Sequence, residues 1–392
     1  MEKSPKTLPN ELIEQILVRL PVRSVVRSKC VCKSWRSLIS NPQFAKSHFD
    51  LAAAPSHRIL LRSTHFYLES IDIDASLHHD SAVAFHPLPL PSPPSPRRRE
   101  YTIDRSLEHH DILGSSRGLV LLAYYNGDLI LWNPSTADYK RTSNPCPDLT
   151  CRSLYGFVYD AALDDYLLYA VELYGSDIFA FDQPIRVAFI SLKTNTCTFV
   201  AVDGDVRYKD LGFEFRAGSL LNGALHWLVF CKFRKIPLII TVDLVDKTLS
   251  EILLPHELTD GIVYELYSLR LMGGCLTVGC TVKGVGIDEL WVMKEYKVHS
   301  SWTKSITILT FDISNNHFSP IHVAKDGIFG SNFSGLLEKV NHEGEVLEHL
   351  PYRRTKGCHG GNLQSAMYVE SLLPVPSVMK VNGNYDDDDS EE

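Results

Sequence analysis

No apolar run in the 392 residues approaches the roughly eighteen that a helix needs to cross a bilayer, and no basic start leads into an apolar stretch of the secretory kind. The chain is therefore expected to be neither membrane-spanning nor secreted. Cysteine is sparse and odd in number: nine residues without a framework of short loops read as reduced thiols of the cytosol or nucleus. With no leader to route it, the Asn332-Phe333-Ser334 sequon carries no glycosylation reading. Zinc spacing is missing too, since four residues separate Cys146 from Cys151 and Cys275 from Cys280, where tight zinc knuckles have about two. There is no broad basic stripe. Lys and Arg number 39 against 47 Asp and Glu, for a net charge of −8, which argues against a nucleic-acid partner. Six of the last seven residues are acidic, leaving a net charge of only −2 for the rest, so residues 377–392 read as a solvated, disordered tail.

Catalytic signatures are equally thin. Gly114-Ser115-Ser116-Arg117-Gly118 fits the G-x-S-x-G pattern, which in a hydrolase holds the serine on a strand-to-helix elbow, but the apolar Leu119 to Ala123 that follows reads as a strand. Gly284-Val285-Gly286 lacks the rest of a nucleotide fingerprint and reads as a hairpin turn. Cys358-His359 is adjacent only in sequence, and His78-His79 and His109-His110 read as exposed polar pairs. No catalytic, cofactor-binding or metal-binding residue is expected.

What is present is concentrated at the start. Leu12, Ile13, Ile16, Leu17 and Leu20 recur at the offsets of one helical face, with Glu11, Glu14, Gln15 and Arg19 largely on the other. Asn10 is the expected N-cap, and Pro21 is expected to end the helix. A second short helix is predicted from Val22 to Cys30 and a third through Trp35, Leu38 and Ile39. Asn41-Pro42 caps and starts a fourth, with Phe44, Ala45, His48 and Phe49 on its apolar face. Cys30 and Cys32 are read as small buried hydrophobes on these helices. So small a unit buries only about 60% of the surface its unfolded chain exposes, so either the rest of the chain or another protein must cover it. Residues 1–50 hold nine Lys and Arg against four Asp and Glu, which suits a protein partner with an acidic surface.

The Leu8-Pro9 opening, the Leu20-Pro21 break, the Val31-Cys32-Lys33-Ser34-Trp35 run and the closing Leu38-Ile39 resemble, in order, the F-box. Ser28 departs from the aromatic residue often found there. Such modules dock onto the Skp-type adaptor of cullin-RING ubiquitin ligases. The resemblance implies that Leu8, Pro9, Ile13, Ile16, Leu17, Leu20, Pro21, Val25, Cys30, Val31, Trp35 and Leu38 form or support the adaptor-binding surface.

Beyond residue 50 the pattern changes. Ile59 to Arg62 begins a strand after a short connection. The run Pro87 to Arg99, with six prolines and three arginines, is expected to be an extended loop that cannot join a ladder, a plain surface loop being the simpler reading than a ligand for a proline-reading domain or import receptor. Leu119 to Tyr125 and Leu129 to Trp132 read as a hairpin around Asn126-Gly127-Asp128. Leu131 to Thr136, Ile190 to Asn195, Val242 to Thr248 and Lys339 to Gly344 each end a strand in a polar turn, and Leu290 to Met293 fills the gap before the last. A spacing of roughly 50 to 60 residues is a propeller period.

Gly114 to Val120, Leu131 to Thr136, Tyr155 to Asp160, Leu221 to Trp227, Leu290 to Tyr296 and Met367 to Leu372 resemble the plant F-box-associated interaction domain. The fold class implied is α+β and multidomain: an all-α F-box of three to four short helices over 1–50, then a mainly-β, propeller-like domain over 51–376, related to kelch-type receptors and of about six blades. That domain would bind a protein substrate through unknown loop residues while the F-box binds the ligase. Within the family one branch resembles negative regulators of plant immunity that promote turnover of immune receptors, and another resembles S-locus F-box receptors for style ribonucleases. A non-degradative scaffold is the remaining alternative.

Overall fold

The computed structural model describes residues 8–51, 57–62, 68–72, 85–88, 110–124, 128–146, 153–173, 185–202, 208–210, 216–259, 264–309, 317–324, 327–331, 337–350 and 364–376. Four helices come first: α1 (Asn10–Leu17), α2 (Val22–Ser28), α3 (Lys33–Ile39) and α4 (Pro42–Leu51). Six antiparallel sheets follow. Blade one holds β1 (His57–Arg62), β2 (Leu68–Asp72) and β3 (Phe85–Leu88), and blade two β4 (His110–Ser116), β5 (Leu119–Tyr124), β6 (Leu129–Trp132) and β7 (Tyr139–Thr142). Blade three is β8 (Ser153–Asp160), β9 (Asp165–Glu172), β10 (Ile185–Ser191) and β11 (Thr196–Val202). In blade four, β12 (Tyr208–Asp210) and β13 (Ser219–Leu221) both pair with β14 (Ala224–Cys231), followed by β15 (Ile236–Asp243) and β16 (Leu249–Leu253). A short α5 (His256–Thr259) leads to blade five, β17 (Tyr264–Met272), β18 (Cys275–Val282), β19 (Ile287–Met293) and β20 (Trp302–Leu309). Blade six is β21 (Ser319–Ala324), β22 (Gly327–Ser331), β23 (Leu337–Val340) and β24 (Val346–Leu350).

The last strand, β25 (Gln364–Val369), returns to blade one and pairs along β1 from His57↔Val369 to Arg62↔Gln364. The first strands of successive blades then neighbour one another in a closed ring, β25 to β4 to β8 to β13 to β17 to β21 and back to β25. The protein is a six-bladed β-propeller with a small helical N-terminus. Radial closure sets the inner strand of every blade against its neighbours in the ring, so that among the described strands only the outer ones, from four residues in β3 and β7 to eight in β20, leave an outward edge.

Its core lies between blades rather than at one centre. Blades three and four share Leu154, Tyr169, Val187, Trp227, Val229 and Ile240, and blades four and five share Leu228, Ile239, Leu269, Val278 and Trp302. These strands are buried on both faces, which is why β9 reads as a nearly continuous apolar run instead of alternating. The Trp227 indole donates to the Tyr155 carbonyl at 2.9 Å, joining β14 to the neighbouring blade.

The four repeated phrases prove to be one structural position, the turn from the third to the outer strand. In blade two the Asn133 side-chain oxygen accepts from the Ser135 and Thr136 amides at 2.8 and 3.3 Å, and in blade four Asp243 accepts from Val245 and Asp246 at 2.8 and 3.0 Å. Asn341 does the same in blade six, accepting from Glu343 and Glu345. A side-chain carbonyl that mimics a backbone turn explains the recurring Asn or Asp.

The strand and hairpin expectations at 59–62, 119–124 and 129–132 are met, and Gly284 and Gly286 sit in the turn between β18 and β19. Others need correction. Asn10 begins α1 as its first residue behind Pro9 and makes no capping bond. Helix α1 closes at Leu17, well before Pro21, which instead stands as the N-cap of α2. Pro87 and Leu88, placed in a loop by their composition, belong to β3, where Pro87 pairs opposite Glu69 on the outer edge of blade one. An edge strand tolerates proline because its outward side needs no donor. Residues 89–99, the turn at 125–127, the sequon, Cys151, His78-His79, Cys358-His359 and the acidic tail lie outside the described residues.

Candidate functional site

The helical module closes around Leu17, Val18, Val22, Val25, Ile39, Phe44 and Ala45. Asn41 caps α4 as its sequence suggests, accepting from the Gln43 amide at 2.8 Å, and His48 on that helix bonds the Leu20 carbonyl at 2.8 Å across the module. Cys30 and Cys32 are exposed rather than buried. The reason is their place on the link between α2 and α3, where the Cys32 sulfur caps α3 by accepting from the Trp35 amide at 3.5 Å. Hydrogen bonding from Ser34 and from the Trp35 amide holds the Cys32 thiol below its usual range.

The twelve residues assigned to the adaptor surface divide in three. Leu8, Pro9, Ile16, Pro21, Cys30 and Val31 are exposed, and Ile13, Leu20, Trp35 and Leu38 are half-buried. Leu17 and Val25, at 1% and 0% exposure, are core residues that can only support the surface from behind. Leu12 adds a further exposed apolar side chain on α1. Arg19, Arg23, Arg27, Lys33 and Arg36 are exposed around this apolar set. Apolar area with a cationic rim can take a partner carrying the complement, the apolar part supplying affinity and the charge steering encounter.

Part of the module is covered by the rest of the chain. Leu372, from the segment after β25, packs into the same core and stands 6% exposed. That segment is fastened to blade two: the Asn133 amide donates to the Ser371 and Leu373 carbonyls at 3.0 and 2.9 Å, and the Ser371 amide donates to the Ser135 hydroxyl at 3.2 Å. Glu370 pairs with Arg58 of β1 at 3.0 Å and lies 3.9 Å from Arg23 of α2. Arg58, 3% exposed, also reaches Asp72 at 3.0 Å and Ser70 at 2.8 Å, so one buried guanidinium ties β1 and β2 to the segment. On the other side Arg117 lies 4.9 Å from the Phe49 ring of α4 and 4.3 Å from the Tyr159 ring of blade three, and pairs with Asp50 at 3.7 Å. Sequence reading missed Leu372 and this Arg117 contact, because nothing local in either residue announces a partner so far along the chain.

The serine of the G-x-S-x-G pattern has a structural occupation. Ser116 ends a strand, its hydroxyl accepts from the Tyr159 amide at 3.0 Å, and another strand follows rather than a helix. Burial pushes the Cys280 thiol far up, away from nucleophilic reactivity. Among the described residues no group of three or more His, Cys, Asp or Glu could hold a metal ion, and no helix is long and apolar enough to cross a membrane.

Residues 6–47, which take in α1 to α3 and the first part of α4, match the F-box domain family. Over most of its length the chain is similar to an F-box/kelch-repeat protein of Arabidopsis thaliana, 30% identical over 78% of this chain and 80% of that protein. It is also similar to the F-box protein CPR1 of Arabidopsis thaliana, 28% identical over 77% of this chain and 73% of that one. With the N-terminal module matched and sequence similarity running across four-fifths of a relative, the chain belongs to the plant family of F-box/kelch-repeat proteins.

Proposed function

We propose that this protein is the substrate-recognition subunit of an SCF-type (Skp-cullin-F-box) E3 ubiquitin ligase. F-box proteins generally serve as such adaptors. Here the helices would hold a Skp-type adaptor and, through it, a cullin-RING core, while the propeller holds a protein target for ubiquitination and proteasomal degradation. The observation that carries the reading is the exposed apolar and basic face of the F-box, with Ile16 at 52% and Val31 at 62% exposure beside a closed core. No residue of this chain need be catalytic. Holding a target near the charged conjugating enzyme makes their encounter effectively intramolecular, and the gain is effective concentration.

Topology supports a place for the target. The F-box sits over the face that carries Arg117 and the turns from third to outer strand, and among the described residues none of its helices reaches the opposite face. There the turns at 232–235 and 283–286 carry Phe233, 86% exposed, and Val285. Aromatic side chains of this kind are the usual anchors of a protein interface. The site of action would be the cytosol or nucleus, and the target could belong to either family branch named above or to another.

Co-expression with a Skp-type adaptor tests the reading. Wild type is expected to co-purify, and Leu8→Ala with Pro9→Ala to lose most of the adaptor. A wild-type protein that fails to co-purify would overturn the assignment.

A further inference from the structure

We infer that the segment Glu370–Leu373 and the Arg117 turn lock the F-box to the propeller in one orientation, so that they act as positioning elements of the ligase. The inference rests on the proposed function and goes beyond it, because it concerns how a target is aimed rather than what is bound. Two separate attachments carry it. The first is the segment after β25, which has Leu372 in the F-box core while Asn133 and Ser135 grip its backbone from blade two. The F-box is therefore completed from the propeller side and cannot tilt without pulling Leu372 out of its pocket. The second is Arg117, whose guanidinium lies between the Phe49 ring of α4 and the Tyr159 ring of blade three and pairs with Asp50. It sits on a two-residue turn with φ of 48° at Arg117 and 81° at Gly118, a backbone that aims the side chain at α4.

The two attachments lie at different places on the module, one at the α2 side through Arg23 and Glu370, the other at the end of α4. Two separated contacts remove the swivel that a single contact would leave. A ligase whose adaptor end and target end are fixed relative to each other presents only some acceptor lysines to the conjugating enzyme, since proximity is set by geometry and not by tether length.

The test uses the full chain reconstituted with a Skp-type adaptor, a cullin-RING core and a charged ubiquitin-conjugating enzyme, with the propeller's own lysines as acceptors. Modified lysines are mapped by mass spectrometry, and amide hydrogen exchange is followed on the chain alone. Arg117→Ala and Phe49→Leu are expected to bind the adaptor within about twofold of wild type while spreading modification to lysines that wild type spares. Arg117→Lys, which keeps a cation between the rings, is expected to restore the narrow pattern. Leu372→Ala is expected to weaken adaptor binding about tenfold by depopulating the competent F-box, and to speed exchange in α2 and α4 while blades three to five exchange as in wild type. An unchanged lysine pattern in Arg117→Ala would overturn the clamp, and unchanged helix exchange in Leu372→Ala would overturn the strap. The exchange measurement needs no adaptor. It therefore decides the strap even where the adaptor fails to bind wild type, an outcome that overturns the proposed function alone.

Discussion

The side chain of Asn133 is fully buried and holds Ser371 by its main-chain carbonyl at 3.0 Å, while its own oxygen closes the turn that it begins. One amide thus serves both the outer turn of blade two and the attachment of the F-box. Asn133→Ala is expected to destabilise the protein by about 2–3 kcal/mol, since the donors and acceptors left behind are out of reach of water. Asn133→Asp should be worse, because a carboxylate cannot donate to the Ser371 and Leu373 carbonyls. Urea unfolding gives the loss, and amide exchange at residues 371–373 locates it.

Exposure separates the residues proposed for the adaptor surface into two behaviours. Ile16→Glu is expected to abolish adaptor binding with a melting temperature close to wild type, because Ile16 is half open to solvent. Leu17→Ala, one position along, should cost about 2–5 kcal/mol of F-box stability and lose adaptor binding only as a consequence. Equal melting temperatures for the two variants would show that α1 is turned differently from its described orientation.

Two glycines with positive φ separate backbone strain from packing. A Cβ on Gly273 (φ 57°) meets nothing within 4 Å, so Gly273→Ala should cost only the left-handed penalty of about 1–2 kcal/mol. A Cβ on Gly118 (φ 81°) would stand 2.1 Å from the Ser371 Cβ and 2.8 Å from the Val369 oxygen. Gly118→Ala should therefore cost clearly more and loosen the F-box, which parallel thermal melts and exchange in α4 would show.

Glu289 provides a pH dependence. Burial pushes its carboxyl up, but hydrogen bonds from Lys304 at 2.9 Å, Trp291 at 3.0 Å and Tyr264 at 2.9 Å outweigh that and hold it below its usual range. A lowered carboxyl stabilises the fold above its unfolded-state pKa, and that stability is lost as pH falls through the folded one. The stability gap between wild type and Glu289→Gln is thus expected to be largest near neutrality and to shrink between about pH 5 and pH 3. A gap that stays constant over that interval would contradict the described network.

Much of the architecture was legible because it is repeated. Asn133, Asp243 and Asn341 end third strands in the same side-chain turn, and a chemistry that recurs at a fixed interval can be read without knowing what it packs against. The amphipathic run of α1 was legible for the same reason, its periodicity being local. Boundaries were read less well: Pro21 looked like a stop for α1 and proved to be the start of α2, since proline suits a helix entrance as well as an exit. Cys32 shows the limit of residue-type averages, for its burial depends on a turn and not on the helix it precedes. Leu372 and Arg117 were illegible. Leu372 joins a core more than three hundred residues before it, Arg117 reaches α4 and blade three across tens of residues, and neither differs locally from an ordinary apolar or turn position.

The pairing of β25 with β1 has a temporal consequence. During synthesis the first blade emerges early but lacks its innermost strand until residues 364–369 leave the ribosome, and Leu372 follows only after them. Long-range pairing of this kind is slow and comes last. The ring and the F-box core are completed by the same few residues, so a nascent or broken chain that never closes its propeller also lacks part of the hydrophobic filling behind its helices. Completion of the F-box core is thereby coupled to closure of the ring.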